Sequence, residues 1–266
     1  MSVAKFTSGI ALGMLLFTLA TPAKSEPAKA PLPPAETLLK KVVERAKDED
    51  ANDLNFRNRY SFTRVRITEE LNARGKVTKH EEKKGVNNPP PTPAVVSVPV
   101  VRTTLAAPAP AASGTRTNLQ GKAFDKKDFM LDQDMINRFE FKVTGREMID
   151  GRPALIMDFH PAHKKLPVKN FKDRFINKAA GRVWIDEGDS VLVKADLHLT
   201  ESVNVVGGLV GAVKKFIYGF DRIRTRDGLW YTASVHWQLD GREVFSRKIM
   251  EYTERRQDVR KVERGS

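Results

Sequence analysis

The sequence FEFKVTGREMIDGRPALIMDFH, residues 139–160, carries the pattern that decides the fold. Residues 139–144 alternate apolar with polar side chains, which is the period-two pattern of a half-buried β-strand. Asp150-Gly151 is a typical hairpin turn, and residues 154–160 place a second apolar set on one face. The stretch therefore predicts a β-hairpin with one apolar side.

The same period continues downstream of this hairpin. Further strands are predicted at 181–186, 191–200, 213–226, 229–239 and 242–254. Asp227-Gly228 and Asp240-Gly241 are predicted to be the turns between the last three. Connections this short favour an antiparallel meander whose apolar faces point into one shared concavity.

Helices and one more hairpin are predicted elsewhere. Residues 35–49 have an amphipathic helical stripe, and residues 72–75 close a long hairpin. Short helices are predicted near 125–136 and 170–180. The predicted fold class is α+β, mainly β: an antiparallel half-barrel of about nine to ten strands with two or three covering helices.

Residues 1–25 have the three parts of a secretory signal peptide. Lys5 forms the basic region, residues 6–20 an apolar stretch too short to span a bilayer, and 23–25 a small-x-small cleavage site. We expect a soluble periplasmic protein; an uncleaved anchor is the alternative. The chain has no cysteine, which excludes disulfides and a lipid-modified cysteine at the cleavage site.

Proline distribution predicts one domain with appendages. Residues 26–34 form an extended leader, and residues 86–118 a Pro/Ala-rich flexible insertion. A single domain is expected over 35–255, followed by a charged C-terminal tail at 256–266.

The net charge narrows the class of partner. It is +13, and loss of Lys5 and Lys24 with the signal lowers it by two, to +11. Behind an export signal, we expect membrane headgroups or envelope glycans rather than nucleic acid as the polyanion. A solvated basic surface with no charged partner is the alternative.

Catalytic and metal-binding motifs are weak. Asp158, His160 and His163 could converge at a strand end, but a proline separates the two histidines and no helical metal-binding frame supports them. No nucleophile elbow, phosphate-binding loop or dinucleotide fingerprint occurs. We expect no enzyme, no cofactor and no metal; a hydrolase would require those three side chains to meet.

The order of the motifs resembles a known family. FEFKVTGRE at 139–147, IDGRPA at 149–154, GRVWID at 181–186, GGL at 207–209 and DGR at 240–242 resemble the outer-membrane lipoprotein-sorting protein-like family of the LolA-like group. The resemblance covers roughly residues 120–255. It implies a periplasmic half-barrel whose apolar concave face, covered by helices, receives lipoprotein acyl chains.

The expected function is a carrier or sensor of lipoprotein acyl chains or other amphiphiles. We expect the protein to be a monomer that makes transient contacts with envelope membrane proteins. The alternative is a non-transporting envelope interaction or structural protein with a filled barrel. The expected cavity wall is Phe139, Phe141, Val143, Leu155, Met157, Phe159, Val191, Val193, Leu197, Val235 and Trp237. Leu209 and Val210, in a glycine-rich apolar run, are the expected lid, and Lys214 and Lys215 the expected headgroup contacts.

Overall fold

The structure is a computed structural model that describes residues 31–90, 133–163, 166–168, 171–205, 211–243 and 246–262. The predicted signal peptide, most of the insertion and the predicted lid residues Leu209 and Val210 lie outside these ranges. Among the described residues, no helix has both the length and the apolar character needed to cross a membrane.

Ten antiparallel strands form one open sheet in the described part of the chain. They are β1 (Tyr60–Leu71), β2 (Val77–Asn87), β3 (Phe139–Ile149), β4 (Arg152–Pro161), β5 (Ala179–Asp186), β6 (Leu192–Leu199), β7 (Val203–Val205), β8 (Gly211–Arg224), β9 (Trp230–Glu243) and β10 (Ser246–Lys261). Their order is β2-β1-β10-β9-β8-β6-β5-β4-β3, with β7 paired to β8. The predicted mainly antiparallel architecture is confirmed.

Helices pack on one face of this sheet, which we call the inner face. They are α1 (Ala35–Ala46), α2 (Glu49–Arg59), α3 (Gln133–Ile136) and α4 (Phe171–Ile176). The apolar stripe of α1 buries Leu38, Leu39 and Val42 against β4 and β5. The helix therefore covers the predicted hairpin, as its amphipathic pattern indicates.

Helix α2 was not expected from the sequence. It is mostly polar and buries only Asn52 and Phe56. The Asn52 side chain donates to the Trp230 carbonyl at 2.6 Å and accepts from the Trp230 amide at 3.0 Å. Phe56 stacks on Tyr231 with ring centroids 4.6 Å apart. Tertiary contacts, rather than an apolar stripe, hold this helix on the sheet.

The turn predicted at Asp240-Gly241 is wrong. Both residues lie inside β9, where Gly241 pairs with Val213 on one side and Lys248 on the other. A Cβ at Gly241 would lie 3.0 Å from the Ala212 carbonyl oxygen, so this glycine permits close approach to β8.

Strand β10 continues to Lys261, through most of the segment expected to form a charged tail.

Candidate functional site

An apolar cavity of about 190 Å³ lies on the inner face, between the sheet and the helices, and is partly open to solvent. Five of the predicted wall residues line it: Phe139, Phe141, Met157, Phe159 and Leu197. The other lining residues are Val42, Met135, Phe175, Ile176, Ala179, Val183, Leu192, Ala195, His198, Leu199, Phe216, Tyr218 and Phe220. The lining is almost wholly apolar, which is the character of sites for apolar ligands.

Strand register brings the lining side chains together. Phe141 lies opposite Phe159, and Met157 lies opposite Val183 on the next strand. The ring centroids of Phe139 and Phe159 are 5.2 Å apart in an edge-to-face arrangement. The period-two pattern that predicts the hairpin thus also forms one wall of the cavity.

Helix α4 forms another part of the wall and is anchored by a buried ion pair. Phe175 of α4 packs edge-to-face on Phe216, with centroids 4.9 Å apart. Arg138, which precedes β3, pairs with Asp173 of α4 at 3.0 Å, and both side chains are buried. Arg138 also donates to the Asn177 side-chain oxygen at 2.8 Å. Because breaking a buried charge pair is costly, these contacts fix the helix over the cavity.

The remaining predicted wall residues lie near the cavity without lining it. Val143 and Leu155 pack beneath α1. Val235 and Trp237 lie on β9 opposite the lining residues Phe220 and Tyr218.

Val191 and Val193 belong to a different cluster, around Trp184 and Trp230. A bulge in β6 explains this, because Trp184 pairs with Lys194 while Ile185 pairs with Leu192. The extra residue, Val193, interrupts the alternation, so Leu192 faces the cavity instead.

The predicted headgroup lysines, Lys214 and Lys215, are exposed near the start of β8. Lys215 lies opposite Asp240, whose pKa is lowered chiefly by a hydrogen bond from Arg247 and further by both lysines. The expected lid lies between β7 and β8; Val203 and Val213 on these strands pack with Phe175 and Phe216, which line the cavity.

The described residues that line the cavity include no aspartate, glutamate, lysine or arginine. Burial raises the pKa of Tyr218 to about 12, with a smaller contribution from Glu254, so the phenol stays neutral at physiological pH. His198 is exposed at the rim of the strand.

The Asp158, His160 and His163 side chains do not form the grouping that a hydrolase would require. Asp158 instead forms a bidentate pair with Arg182, at 2.6 and 3.0 Å, and this hydrogen bond lowers its pKa. The histidines approach Glu140: His163 Nδ1 lies 3.0 Å and His160 Nε2 3.9 Å from its carboxylate. Glu140, His160 and His163 are all exposed. Glu140 and His160 alternate along their strands with cavity-lining phenylalanines, so they lie on the opposite face of the sheet.

The wall residues on β8 were missed as site residues, although the sequence carries their signal. Phe216, Tyr218 and Phe220 follow one another at every second position, which is the spacing of one strand face. Phe175 and Met135 could not be found from a strand pattern, because they lie on the short helices α4 and α3, which pack against the sheet at the cavity.

No protein-family model matches the chain, and no curated protein matches it significantly. Several solved structures are similar. An outer membrane lipoprotein-sorting protein domain from Vibrio parahaemolyticus is 11% identical with a TM-score of 0.30, over 84% of this chain and 93% of that one. A LolA superfamily protein from Nitrosomonas europaea is 8% identical with a TM-score of 0.30, over 87% and 95%. The MucA/MucB complex from Pseudomonas aeruginosa matches at 8% identity and a TM-score of 0.22, over 82% and 99%.

Proposed function

We propose that this protein is a periplasmic, non-enzymatic carrier or sensor that binds the acyl chain of a lipidated protein or another amphiphile in the inner-face cavity. The observation that carries the proposal is the cavity itself, since a barrel filled by its own side chains would favour a purely structural role. Delivery outside the cytoplasm would depend on the signal-like sequence of residues 1–25.

Burial of methylene groups would supply the binding energy. Each buried CH₂ contributes about 0.8 kcal/mol. About ten methylenes would give roughly 8 kcal/mol before the cost of association is subtracted. Useful binding is therefore possible without polar contacts to the chain.

Uptake of a fluorescent fatty acid by protein lacking residues 1–25 tests the proposal. We expect saturable binding with one site per molecule. Ala195 lines the cavity and is 3% exposed, so Ala195→Leu places added methyl groups in the space the ligand would occupy. The affinity should fall about tenfold, as about 1.4 kcal/mol of lost binding requires.

The matched control is Ala51→Leu on the exposed side of α2, which should bind like the unsubstituted protein. A thermal melt of each variant separates loss of the cavity from loss of folding. Absence of saturable uptake by the unsubstituted protein would refute the proposal.

The proposed lid is tested separately with Leu209→Asp. A charged side chain in a segment that covers an acyl chain should speed release of the fatty acid, measured by stopped-flow displacement. An unchanged release rate would remove Leu209 from the site while leaving the cavity proposal intact.

A further inference from the structure

The inner face continues beyond the cavity as an aromatic floor. Tyr218 of β8 lies opposite Trp237 of β9, which in turn lies opposite Tyr252 of β10. The Trp237 and Tyr252 rings stack with centroids 5.5 Å apart. An apolar surface therefore leads from the cavity across the next two strands.

Three arginines stand at the far end of this floor. Arg64 and Arg66 of β1 lie two residues apart on the inner face, and Arg256 of β10 lies directly opposite Arg64. We call Arg64, Arg66 and Arg256 the arginine cluster. Phe220, Val235, Glu254 and Arg66 are successive partners across four strands, which places the cluster roughly 14 Å from the cavity wall at the usual strand spacing.

The cluster lacks the partners that buried guanidinium groups usually have. All four buried side-chain polar atoms without a hydrogen bond in the described residues are arginine nitrogens: the Nε atoms of Arg66, Arg222 and Arg256, and Nη1 of Arg45. Leaving such donors unpaired costs about 1–3 kcal/mol each or more, since they are charged. Two of these four donors belong to the cluster, one on Arg66 and one on Arg256.

In the described part of the chain, neighbouring acids offset the charge of the cluster only in part. Arg256 packs over the Phe56 and Phe62 rings, at 5.7 and 5.3 Å. Burial lowers its pKa; the charges of Glu254 and Asp53 raise it, and those of Arg64 and Arg222 lower it further.

The nearby ionised side chains have partners of their own. Glu254 accepts a hydrogen bond from the Tyr252 hydroxyl at 2.8 Å. Arg222 forms a bidentate pair with Glu49, and Lys83, opposite Arg66 on β2, pairs with Glu81. Among the described residues none of the three cluster guanidiniums forms an ion pair, although Glu254 lies opposite Arg66 and its charge acts on Arg256.

We infer that the ligand is a phosphate-bearing amphiphile, with its acyl chain in the cavity and its phosphate on Arg64, Arg66 and Arg256. Three separate guanidinium groups need more acceptors than the two oxygens of one carboxylate, whereas a phosphate monoester offers three strong acceptor oxygens. The inference rests on the proposed function, because it assigns the headgroup of the ligand whose chain the cavity receives.

Calorimetric titration with two lipids of equal chain length tests the inference. The probes are 1-oleoyl lysophosphatidate and neutral 1-oleoylglycerol, both kept below micellar concentration, with glycerol 3-phosphate as the chain-free headgroup. We expect lysophosphatidate to bind at least tenfold more tightly than the neutral lipid. Arg66→Gln/Arg256→Gln should abolish this difference and leave affinity for the neutral lipid unchanged.

Arg255→Gln is the matched control, since Arg255 is the exposed neighbour of Arg256 with its side chain on the opposite face. If the double variant does not fold, Arg64→Gln and Arg66→Gln singly must each reduce the preference. Equal affinity for the two lipids would overturn this inference and leave the carrier proposal standing. So would a preference for lysophosphatidate that persists in the folded variants.

Two further outcomes identify the source of a failure. Binding of neither lipid would refute the carrier proposal itself. Glycerol 3-phosphate binding as tightly as lysophosphatidate would assign the cluster to free phosphate compounds and overturn the amphiphile assignment. Ala195→Leu should weaken both lipids equally, because it alters only the cavity.

Discussion

At the scale of single residues, Asp227 joins three distant parts of the chain. It lies in the turn between β8 and β9 and accepts hydrogen bonds from the Tyr60 hydroxyl and, at 2.7 Å, from Thr225 Oγ1. Arg59 lies 2.6 Å and Lys261 3.0 Å from its carboxylate. Burial would raise the pKa of Asp227, but the hydrogen bonds from Tyr60, Thr225 and Lys261 and the charge of Arg59 outweigh it and lower the pKa.

Asp227→Asn should lower the free energy of unfolding at pH 7 by about 2 kcal/mol, because it removes charge-assisted hydrogen bonds. A lowered folded-state pKa means that the stabilisation is present above the unfolded value, about 3.9, and is lost as pH falls through the folded pKa. Urea unfolding from pH 7 to pH 2 should show the difference from the unsubstituted protein shrinking below about pH 4. A difference independent of pH would contradict this assignment.

Gly181 illustrates a second residue-scale requirement. A Cβ at this position would lie 2.2 Å from the Asp196 carbonyl oxygen, which belongs to the backbone of β6. Gly181→Ala should therefore destabilise the protein by about 2 kcal/mol, measured by thermal unfolding. Gly85→Ala is the control, since nothing lies within 4 Å of its added Cβ, and it should leave stability unchanged or slightly higher.

At the scale of elements, β2 is an edge strand protected by charge. Nearly all its residues are exposed, and it carries alternating acids and lysines such as Glu82 and Lys84, which form an ion pair at 3.0 Å. Charged side chains on an edge disfavour pairing with a second chain.

Glu82→Val/Lys84→Val should make the protein self-associate, because these positions lie opposite Ile67 and Val65 and would extend an apolar patch to the open edge. Light scattering coupled to gel filtration should report a mass that rises with concentration. Glu82→Gln/Lys84→Gln, which keeps the strand polar, should stay at the original mass; association of both variants equally would argue against edge pairing.

Strands and helices whose apolar residues recur with a clear period could be predicted from the sequence. The positions where tertiary packing interrupts that period could not. The hairpin at 139–160 was predicted correctly because its alternation ends at Asp150-Gly151, which adopts the positive φ values of 48° and 76° that such a turn needs. Helix α2 was missed because tertiary contacts hold it, and the Asp240-Gly241 turn was wrong because that glycine serves close packing.

The same limits apply to the candidate site. Phe139, Phe141, Met157 and Phe159 line the cavity as their parity predicts, but the bulge at Val193 places Val191 and Val193 in the cluster around Trp184 and Trp230 instead. Cross-strand assemblies such as the arginine cluster depend on which strands are neighbours. No local pattern indicates that β1 lies beside β10.

At the scale of the whole molecule, the last described strand lies in the interior of the sheet and not at its edge. β10 lies between β1 and β9, and it pairs with β1 from Tyr60–Lys261 to Leu71–Ile249. A chain ending at residue 243 should therefore fail to form the sheet, since β1 and β2 would lose their only lateral connection to it in the described structure.

A chain ending at residue 262 is the matched control and should fold, because it keeps every described pair of β10. Far-UV circular dichroism with a thermal melt measures both proteins. A cooperative transition in the shorter chain at the temperature of the control would disprove the central role of β10.

The position of β10 also sets the time at which folding can finish. The chain is made from its N-terminus, and the end of β2 at Asn87 precedes the end of β10 at Lys261 by 174 residues. Until β10 is present, the edge of β1 that pairs with β10 in the described structure has no partner strand. A chain whose synthesis stops before β10 therefore exposes the unpaired edge of β1. That edge can pair with other chains unless a chaperone covers it.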